Sequence, residues 1–102
     1  MSGTQNPYRY QYETVAASQT EQVLGNTGAV SDYLDRVIVT VTTSGSNGTV
    51  TILDNATTVL VIPASTPIGV YSIHLGVASA SGAWKITTGS AATAVGVGIF
   101  SA

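Results

Sequence analysis

Apolar and polar side chains alternate with a period of two along most of this chain. Val37, Val39 and Val41 fall on one side of a segment spanning residues 34–42, and the residues between them fall on the other. Residues 70–78 alternate in the same way. Successive side chains of a β-strand point to opposite faces, so this period predicts strands with one buried face. No helical period extends beyond a single turn, and the sequence therefore predicts an all-β chain.

Turn residues separate the predicted strands at intervals of about ten residues, which is the spacing of a sandwich or barrel. Seven strands are predicted in this way, at residues 21–24, 34–42, 50–53, 58–62, 70–78, 84–88 and 94–100. Asn47 and Gly48 mark the clearest hairpin, because both residues tolerate a positive φ. The predicted fold class is all-β: a single antiparallel β-sandwich or jelly-roll-like domain of seven to eight short strands.

The N-terminal segment carries three tyrosines, Tyr8, Tyr10 and Tyr12, which alternate with polar residues. This period suits an extended strand with one aromatic face. Two interpretations are open. Residues 1–17 are either an extended arm that lies over a neighbouring subunit or an edge strand of the domain's own sheet, and residues 18–102 form the β-sandwich. Tyrosine suits an interface because it combines apolar area with a hydrogen-bonding hydroxyl.

The last predicted strand alternates large and small side chains. Gly96 and Gly98 lie on one face, where the missing side chains let another backbone or an aromatic ring approach closely. Either the strand bends tightly over Trp84, or its glycines pack closely around an oligomer axis. In both cases we expect Trp84 in the core or at a subunit interface.

The composition agrees with a sheet and also bears on the surface. The chain contains 15 Thr, 13 Val and 7 Ile against 5 Leu, and β-branched side chains favour strands. Only 8% of the residues are charged, against about 25% in an ordinary soluble domain. Neutral polar side chains must therefore cover the surface, and such a surface is suited to being covered by other subunits. We expect a homo-oligomer, with a trimer favoured, whose subunits cover one another's strand edges.

The basic residues and the lack of cysteine exclude several classes of function. There are three basic residues, Arg9, Arg36 and Lys85, so no basic patch is available for nucleic acid. With no cysteine, no disulfide, thiolate nucleophile or zinc–thiolate site can form. No apolar run is long enough to cross a membrane, and the N-terminus lacks the features of a secretory signal. We expect neither nucleic acid nor membrane as a partner, and synthesis in the cytoplasm.

The groups that catalysis needs are few. His74 is the one histidine, and alternation places it on the polar face of its predicted strand. No serine lies in a Gly-x-Ser-x-Gly nucleophile elbow. The five acidic residues, none flanked by a convincing set of substrate-binding aromatic residues, are Glu13, Glu21, Asp32, Asp35 and Asp54. We predict no catalytic residue, no cofactor and no enzyme activity.

Asp32 and Asp35 form the one candidate metal pair. They lie close together ahead of a predicted strand, where loop carbonyls are able to complete a calcium site. Their spacing lacks the alternating oxygen ligands of an EF-hand loop. We therefore expect Asp32 to cap the turn after residues 29–31 and Asp35 to pair with a basic residue, and we predict no metal site.

Three segments resemble a known class of proteins. They are residues 28–41 (GAVSDYLDRVIVTV), 62–72 (IPASTPIGVYS) and 81–89 (SGAWKITTG). These segments resemble small virion proteins encoded in the structural gene clusters of tailed bacteriophages, and the likeness extends over residues 18–100. The resemblance implies a capsid decoration (cement) protein with a β-sandwich or jelly-roll fold and no active site. It also implies a location on the capsid surface of the virion, after synthesis in the host cytoplasm.

The expected function is therefore non-enzymatic. An oligomer of this chain would bind the phage major capsid protein on the outer surface of the shell and stabilise the shell by burying area around a few aromatic anchors. The expected interface residues are Tyr8, Tyr10, Tyr12 and Trp84. The alternative is a phage tail, fibre or receptor-binding module whose loops contact host glycan.

Overall fold

The computed structural model describes residues 10–43 and 49–100 of the chain. These residues form eight β-strands and no helix, which confirms the all-β prediction. The strands are β1 (Gln11–Val15), β2 (Gln22–Val23), β3 (Tyr33–Val41), β4 (Val50–Asp54), β5 (Thr57–Ile62), β6 (Gly69–Ala78), β7 (Trp84–Thr88) and β8 (Ala92–Ile99). The hairpin predicted at Asn47 and Gly48 lies outside the described residues. Within the described ranges, no helix is long and apolar enough to cross a membrane.

The strands form two four-stranded antiparallel sheets that pack as a sandwich. Sheet A has the order β1-β8-β3-β6, and sheet B has the order β2-β7-β4-β5. The first strand therefore pairs with the last, the second with the seventh, the third with the sixth and the fourth with the fifth. This is the pattern of one long hairpin rolled into two sheets, which is the jelly-roll arrangement.

The core fills the space between the two sheets, and the period-two pattern predicted its members in β3 correctly. Val37, Val39 and Val41 point inward and are 0–1% exposed. Sheet B contributes Ile52 and Ile86, which lie opposite each other in β4 and β7 and are fully buried. Each fully buried aliphatic side chain contributes about 1.5–3 kcal/mol relative to exposure.

The last strand turns its small residues inward. Ala92 and Ala94 are buried in the core. A Cβ atom added at Gly96 would lie 2.7 Å from Leu24 Cδ1, so Leu24 occupies the space that the glycine leaves. At Gly98 the carbonyl group of Tyr33 in the neighbouring strand occupies the corresponding space. The side chain over Gly96 is thus Leu24 and not Trp84, which corrects the predicted bend over the tryptophan.

Residues 11–15 belong to the domain's own sheet. All five residues of β1 pair with β8, from Gln11 opposite Gly98 to Val15 opposite Ala94. Val15 is 1% exposed and belongs to the core. Residues 11–15 therefore agree with the edge-strand interpretation of the tyrosine segment. Tyr8 lies outside the described residues.

A bulge interrupts β3 next to the N-terminal end of the strand. Against β8, Leu34 lies opposite Gly98 and Arg36 opposite Val97, so Asp35 is an extra residue. Because of this bulge Leu34 points into the core, fully buried, while Arg36 is exposed on the outer face. Bulges re-aim side chains in this way, and this one brings several polar groups together.

Candidate interaction surface

The polar groups at the bulge form a cluster on the outer face of sheet A. Arg36 Nε lies 3.2 Å from Asp35 Oδ2, and His74 Nδ1 lies 3.9 Å from Asp35 Oδ1. The Tyr33 hydroxyl donates to Asp35 Oδ1 at 3.4 Å. The Tyr10 ring stacks on that of Tyr33, with the ring centroids 6.2 Å apart. The prediction that Asp35 pairs with a basic residue is confirmed, and we call these five residues the outer cluster.

The electrostatics of the outer cluster favour a neutral phenol at its centre. Partial burial raises the pKa of Tyr33 above its ordinary value of 10.0, and the neighbouring Tyr10 and Asp35 raise it further. Tyr33 is therefore a hydrogen-bond donor at neutral pH and not a base. The side chain of His74 is 73% exposed, and within the described residues no serine or threonine hydroxyl is hydrogen-bonded to it. The cluster is thus a charged and aromatic surface patch.

The buried carboxylate of Asp54 has a structural role. It accepts hydrogen bonds from the backbone N–H groups of Ala80 at 2.8 Å and Ser81 at 3.1 Å. These bonds hold the β6–β7 loop against the end of β4. Charge-assisted hydrogen bonds of this kind each contribute about 1.5–3 kcal/mol.

Asp32 lies beside a second loop contact. Its carbonyl accepts hydrogen bonds from Trp84 Nε1 at 2.8 Å and from Ser79 N at 2.9 Å. The Ser79 hydroxyl accepts a bond from Ser31 N at 3.0 Å and donates to the Ala29 carbonyl at 3.3 Å, so Ser79 holds the turn that precedes Asp32. Among residues 10–43 and 49–100, no three histidine, aspartate or glutamate side chains lie together as metal ligands would.

One side of the sandwich, formed by β5 and β6, leaves core-facing side chains uncovered. Leu60 and Ile62 of β5 lie opposite the buried Ile52 and Val50, so they point inward. In β6, Ile73 likewise lies opposite Val37. These inward-facing residues pack against the core but remain partly exposed. We call this set the open seam: Leu60, Ile62, Tyr71, Ile73 and Leu75.

The surface around the open seam is rich in exposed aliphatic side chains and poor in charged ones. Residues 55–84 contain no Lys, Arg, Asp or Glu. Exposed aliphatic side chains flank the seam on β5, β6 and their connector: Val59 (45%), Val61 (50%), Ile68 (60%), Val70 (68%) and Val77 (45%). Single exposed aliphatics are ordinary, but a group of them beside uncovered core residues marks an interaction site.

The opposite side, formed by β1 and β2, is closed by hydrogen bonds. Glu13 of β1 accepts a bond from Gly25 N at 3.0 Å and one from Gln22 Nε2 at 3.3 Å. The connector between β1 and β2 is bonded to β7: the Thr88 hydroxyl donates to the Ala16 carbonyl at 2.6 Å and accepts from Gln19 N at 3.0 Å. These bonds join the edges of the two sheets, and we call this the closed side.

The predicted interface residues differ in what they offer a partner. Tyr10 and Tyr12 are 52% and 73% exposed on the outer face of sheet A. Tyr8 lies outside the described residues. Trp84 is 1% exposed in the single chain, so it is a core residue and has no surface to offer a partner.

Sequence reasoning missed the open seam. Two signals pointed to it: apolar residues on both faces of predicted strand 58–62, and the absence of charge over residues 55–84. Neither signal reveals which strands lie at the sheet edges, and that order decides which inward faces stay uncovered. The pairing of β3 with β6 and of β4 with β5 supplies this information.

Comparison with known proteins assigns no relative to the chain. No family model matches it, and searches of curated proteins and of solved structures find no match either.

Proposed function

We propose that this chain is a non-enzymatic structural protein that assembles with other subunits on the outer surface of a bacteriophage capsid and stabilises the shell. The observation that carries the assembly role is the open seam, whose surroundings contain exposed aliphatic side chains and no Lys, Arg, Asp or Glu. Its core-facing side chains are fully removed from water only when another protein surface covers them. Each 100 Å² of apolar surface covered in this way is worth about 2.5 kcal/mol before the costs of association.

The low charge of the chain supports a lasting interface. Interfaces that form permanently resemble a domain core cut in half and are more apolar than transient ones. Here, Leu60 and Ile73 are continuous with the core on one side and reach solvent on the other. An interface that extends the core suits a protein that reinforces a shell.

The capsid, as the particular assembly, is supported by the resemblance to phage virion proteins. One of the resembling segments, residues 62–72, comprises the last residue of β5, the β5–β6 connector and the first part of β6. It therefore includes two members of the open seam, Ile62 and Tyr71. Segment 28–41 contains all of β3 with its bulge, and segment 81–89 contains β7.

Immunogold electron microscopy of the parent virion tests this proposal. Gold particles coupled to an antibody against the purified chain should decorate the capsid in electron micrographs. Pre-incubation with excess purified chain should abolish the label. Labelling of the tail or fibres alone would contradict the capsid role, and absence of the chain from purified virions would contradict a virion role altogether.

A receptor-binding module that contacts glycan is the second candidate, and the outer cluster favours it. Tyr10 and Tyr33 provide aromatic rings beside the charges of Asp35 and Arg36. Aromatic faces with nearby charged hydrogen-bonding groups suit recognition of a sugar. Binding to a glycan array that is lost in Tyr10→Ala and kept in Thr58→Ala, an exposed threonine on the other sheet, would favour this function.

A further inference from the structure

Among the described residues, no strand pairs with the outer edge of β6, and positions 69–74 of this edge lack the features that normally protect a sheet edge. Natural edge strands are kept from pairing by short length, by charged side chains or by proline. β6 is 10 residues long and contains no Lys, Arg, Asp, Glu or Pro. The other edge of sheet A, β1, is protected: it is 5 residues long and carries the inward-pointing charge of Glu13. The two edges of sheet A thus differ in length and in charge, and these properties decide whether an edge pairs with another strand.

We propose that two copies of this chain pair through β6, antiparallel and about a two-fold axis, so that their A sheets become one continuous sheet. The inference rests on the proposed assembly role and names the partner that covers the open seam. The two-fold axis passes next to one residue within positions 70–74 of β6. Pairing about this axis brings the inward-facing Tyr71, Ile73 and Leu75 of one copy next to the same residues of the other.

Uninterrupted strand geometry makes this part of β6 suitable for pairing. From Gly69 opposite Val41 to His74 opposite Arg36, the register with β3 runs without a break. The irregularity comes only afterwards, near Gly76, whose φ is +66°. Six regular residues give an edge about 20 Å long, which is the length of an ordinary strand.

The absence of charge favours a second copy as the partner. An isologous interface places each patch against itself, so any net charge in the patch would face a like charge. The open seam and its flanks lie within residues 55–84 and carry no Lys, Arg, Asp or Glu. Pairing of β6 with β1 of another copy would instead place the seam against an edge guarded by Glu13. Self-pairing uses the β6 edge once per copy and closes as a dimer, in place of the trimer expected from composition.

Self-pairing of β6 also places residues of the same sheet face opposite one another. When a residue of β6 lies opposite itself across a two-fold axis, every other opposed pair joins two residues of the same face. Inward apolar residues therefore meet inward residues, and the exposed Val70, Ser72 and His74 meet one another on the outer face. Cross-strand pairs of aromatic and β-branched residues, such as Tyr71 with Ile73, each add stability to a sheet.

A cysteine scan tests the pairing, because the chain has no cysteine of its own. One residue at a time over positions 70–74 is replaced by Cys in the full-length chain, and Thr14→Cys, exposed on β1, serves as the matched control. Directly opposed residues of antiparallel strands lie about 4.5–5.5 Å apart at Cα, within the range that a disulfide spans. Under mild oxidation one position should cross-link at least tenfold faster than Thr14→Cys, with slower rates on both sides of it. Equal rates at all positions and at the control would overturn the proposal.

The oligomeric state gives a second test. Native mass spectrometry should find a dimer for the unmodified chain and a monomer for Ser72→Lys, while Thr14→Lys should remain a dimer. A chain lacking residues 1–9 should also remain a dimer, and loss of the dimer there would assign the β6 edge to the N-terminal segment instead. A trimer, or a monomer at tens of micromolar, would contradict the two-fold pairing. The virion can be labelled even if the purified chain is not a dimer, and the chain can be a dimer even if the virion is not labelled. The two proposals are therefore tested separately.

Discussion

Each side of this sandwich contains a connector that crosses from one sheet to the other, and the two connectors differ in their hydrogen bonds. On the closed side the chain crosses from β1 in sheet A to β2 in sheet B, and on the open side it crosses from β5 in sheet B to β6 in sheet A. The first connector is hydrogen-bonded to β7 and its neighbours through Ser18, Gln19 and Glu21. The second connector bonds mainly within itself, with Thr66 N donating to the Pro63 carbonyl at 3.2 Å.

This difference separates what stabilises the domain from what it can bind. Hydrogen bonds across the closed side join the two sheets within one chain, and Glu13 there protects the β1 edge from pairing. Side chains of the open side, such as Leu60 and Ile73, extend the core to the surface without a cover. The side of the sandwich formed by β5 and β6 is therefore the part of the fold left for a partner.

The largest loss of stability is expected when Trp84 is truncated, and the effects on the two sides are compared with this loss. The side chain is 1% exposed, and its indole N–H donates to the Asp32 carbonyl at 2.8 Å. Trp84→Ala should lower the free energy of unfolding by about 3–5 kcal/mol, measured by urea denaturation. Trp84→Phe keeps most of the apolar area and should lose clearly less. An unchanged midpoint in Trp84→Ala would contradict its place in the core.

A pair of leucines compares the two sides directly. Leu24, next to β2 on the closed side, is 0% exposed and fills the space over Gly96, so Leu24→Ala should cost about 2–5 kcal/mol. Leu60, in β5 on the open side, is partly exposed, so Leu60→Ala should cost about half as much in the monomer. Thermal or urea unfolding at low protein concentration measures both. Equal costs would mean that the open side is as well covered as the closed one.

The hydrogen bonds of the closed side predict a smaller effect. Glu13 accepts bonds from Gly25 N and Gln22 Nε2, so Glu13→Ala should cost about 1–3 kcal/mol in urea unfolding. Glu21 provides the control: its carboxylate is half exposed and lies 3.8 Å from Lys85 Nζ, and Glu21→Ala should cost at most about 1 kcal/mol. If the two variants lose the same stability, Glu13 does not close this side.

The smallest effect concerns Tyr33, between the two sides on the outer face. Because its pKa in the folded chain is raised above 10.0, the folded state holds the phenolic proton more tightly than the unfolded state. The resulting stability is fully present below pH 10 and is lost as the pH rises from there through the folded pKa. Tyr33→Phe should therefore lose less stability than the unmodified chain over this alkaline range in urea unfolding. A Tyr33→Phe profile that falls as steeply would contradict the raised pKa.

The sequence alone predicted the strands and, for most of them, which side chains share a face. Val37, Val39 and Val41 occupy the core because a half-buried strand must alternate, and no distant contact is needed to infer it. The bulge at Asp35 escaped prediction, since the extra residue is defined only against the neighbouring β8. For the same reason no pattern in the sequence pointed to Leu24 as the side chain over Gly96.

The candidate surfaces were harder to predict than the fold. Exposed tyrosines were expected at the N-terminal segment, and Tyr10 and Tyr12 are exposed. The open seam depends on which strands are edges, and periodicity is identical for edge and central strands. Trp84 illustrates the same point, because a tryptophan at the start of a strand serves equally as a core residue or an interface anchor until the strand order is known.

Hydrogen exchange resolved by residue at two protein concentrations tests the central contrast most directly. If the closed side stabilises the domain and the open side binds a second copy, amides of β6 should exchange at least tenfold more slowly at high than at low concentration. Amides of β1 should exchange at the same rate at both concentrations. Concentration-dependent protection in β1, or none in β6, would contradict the account.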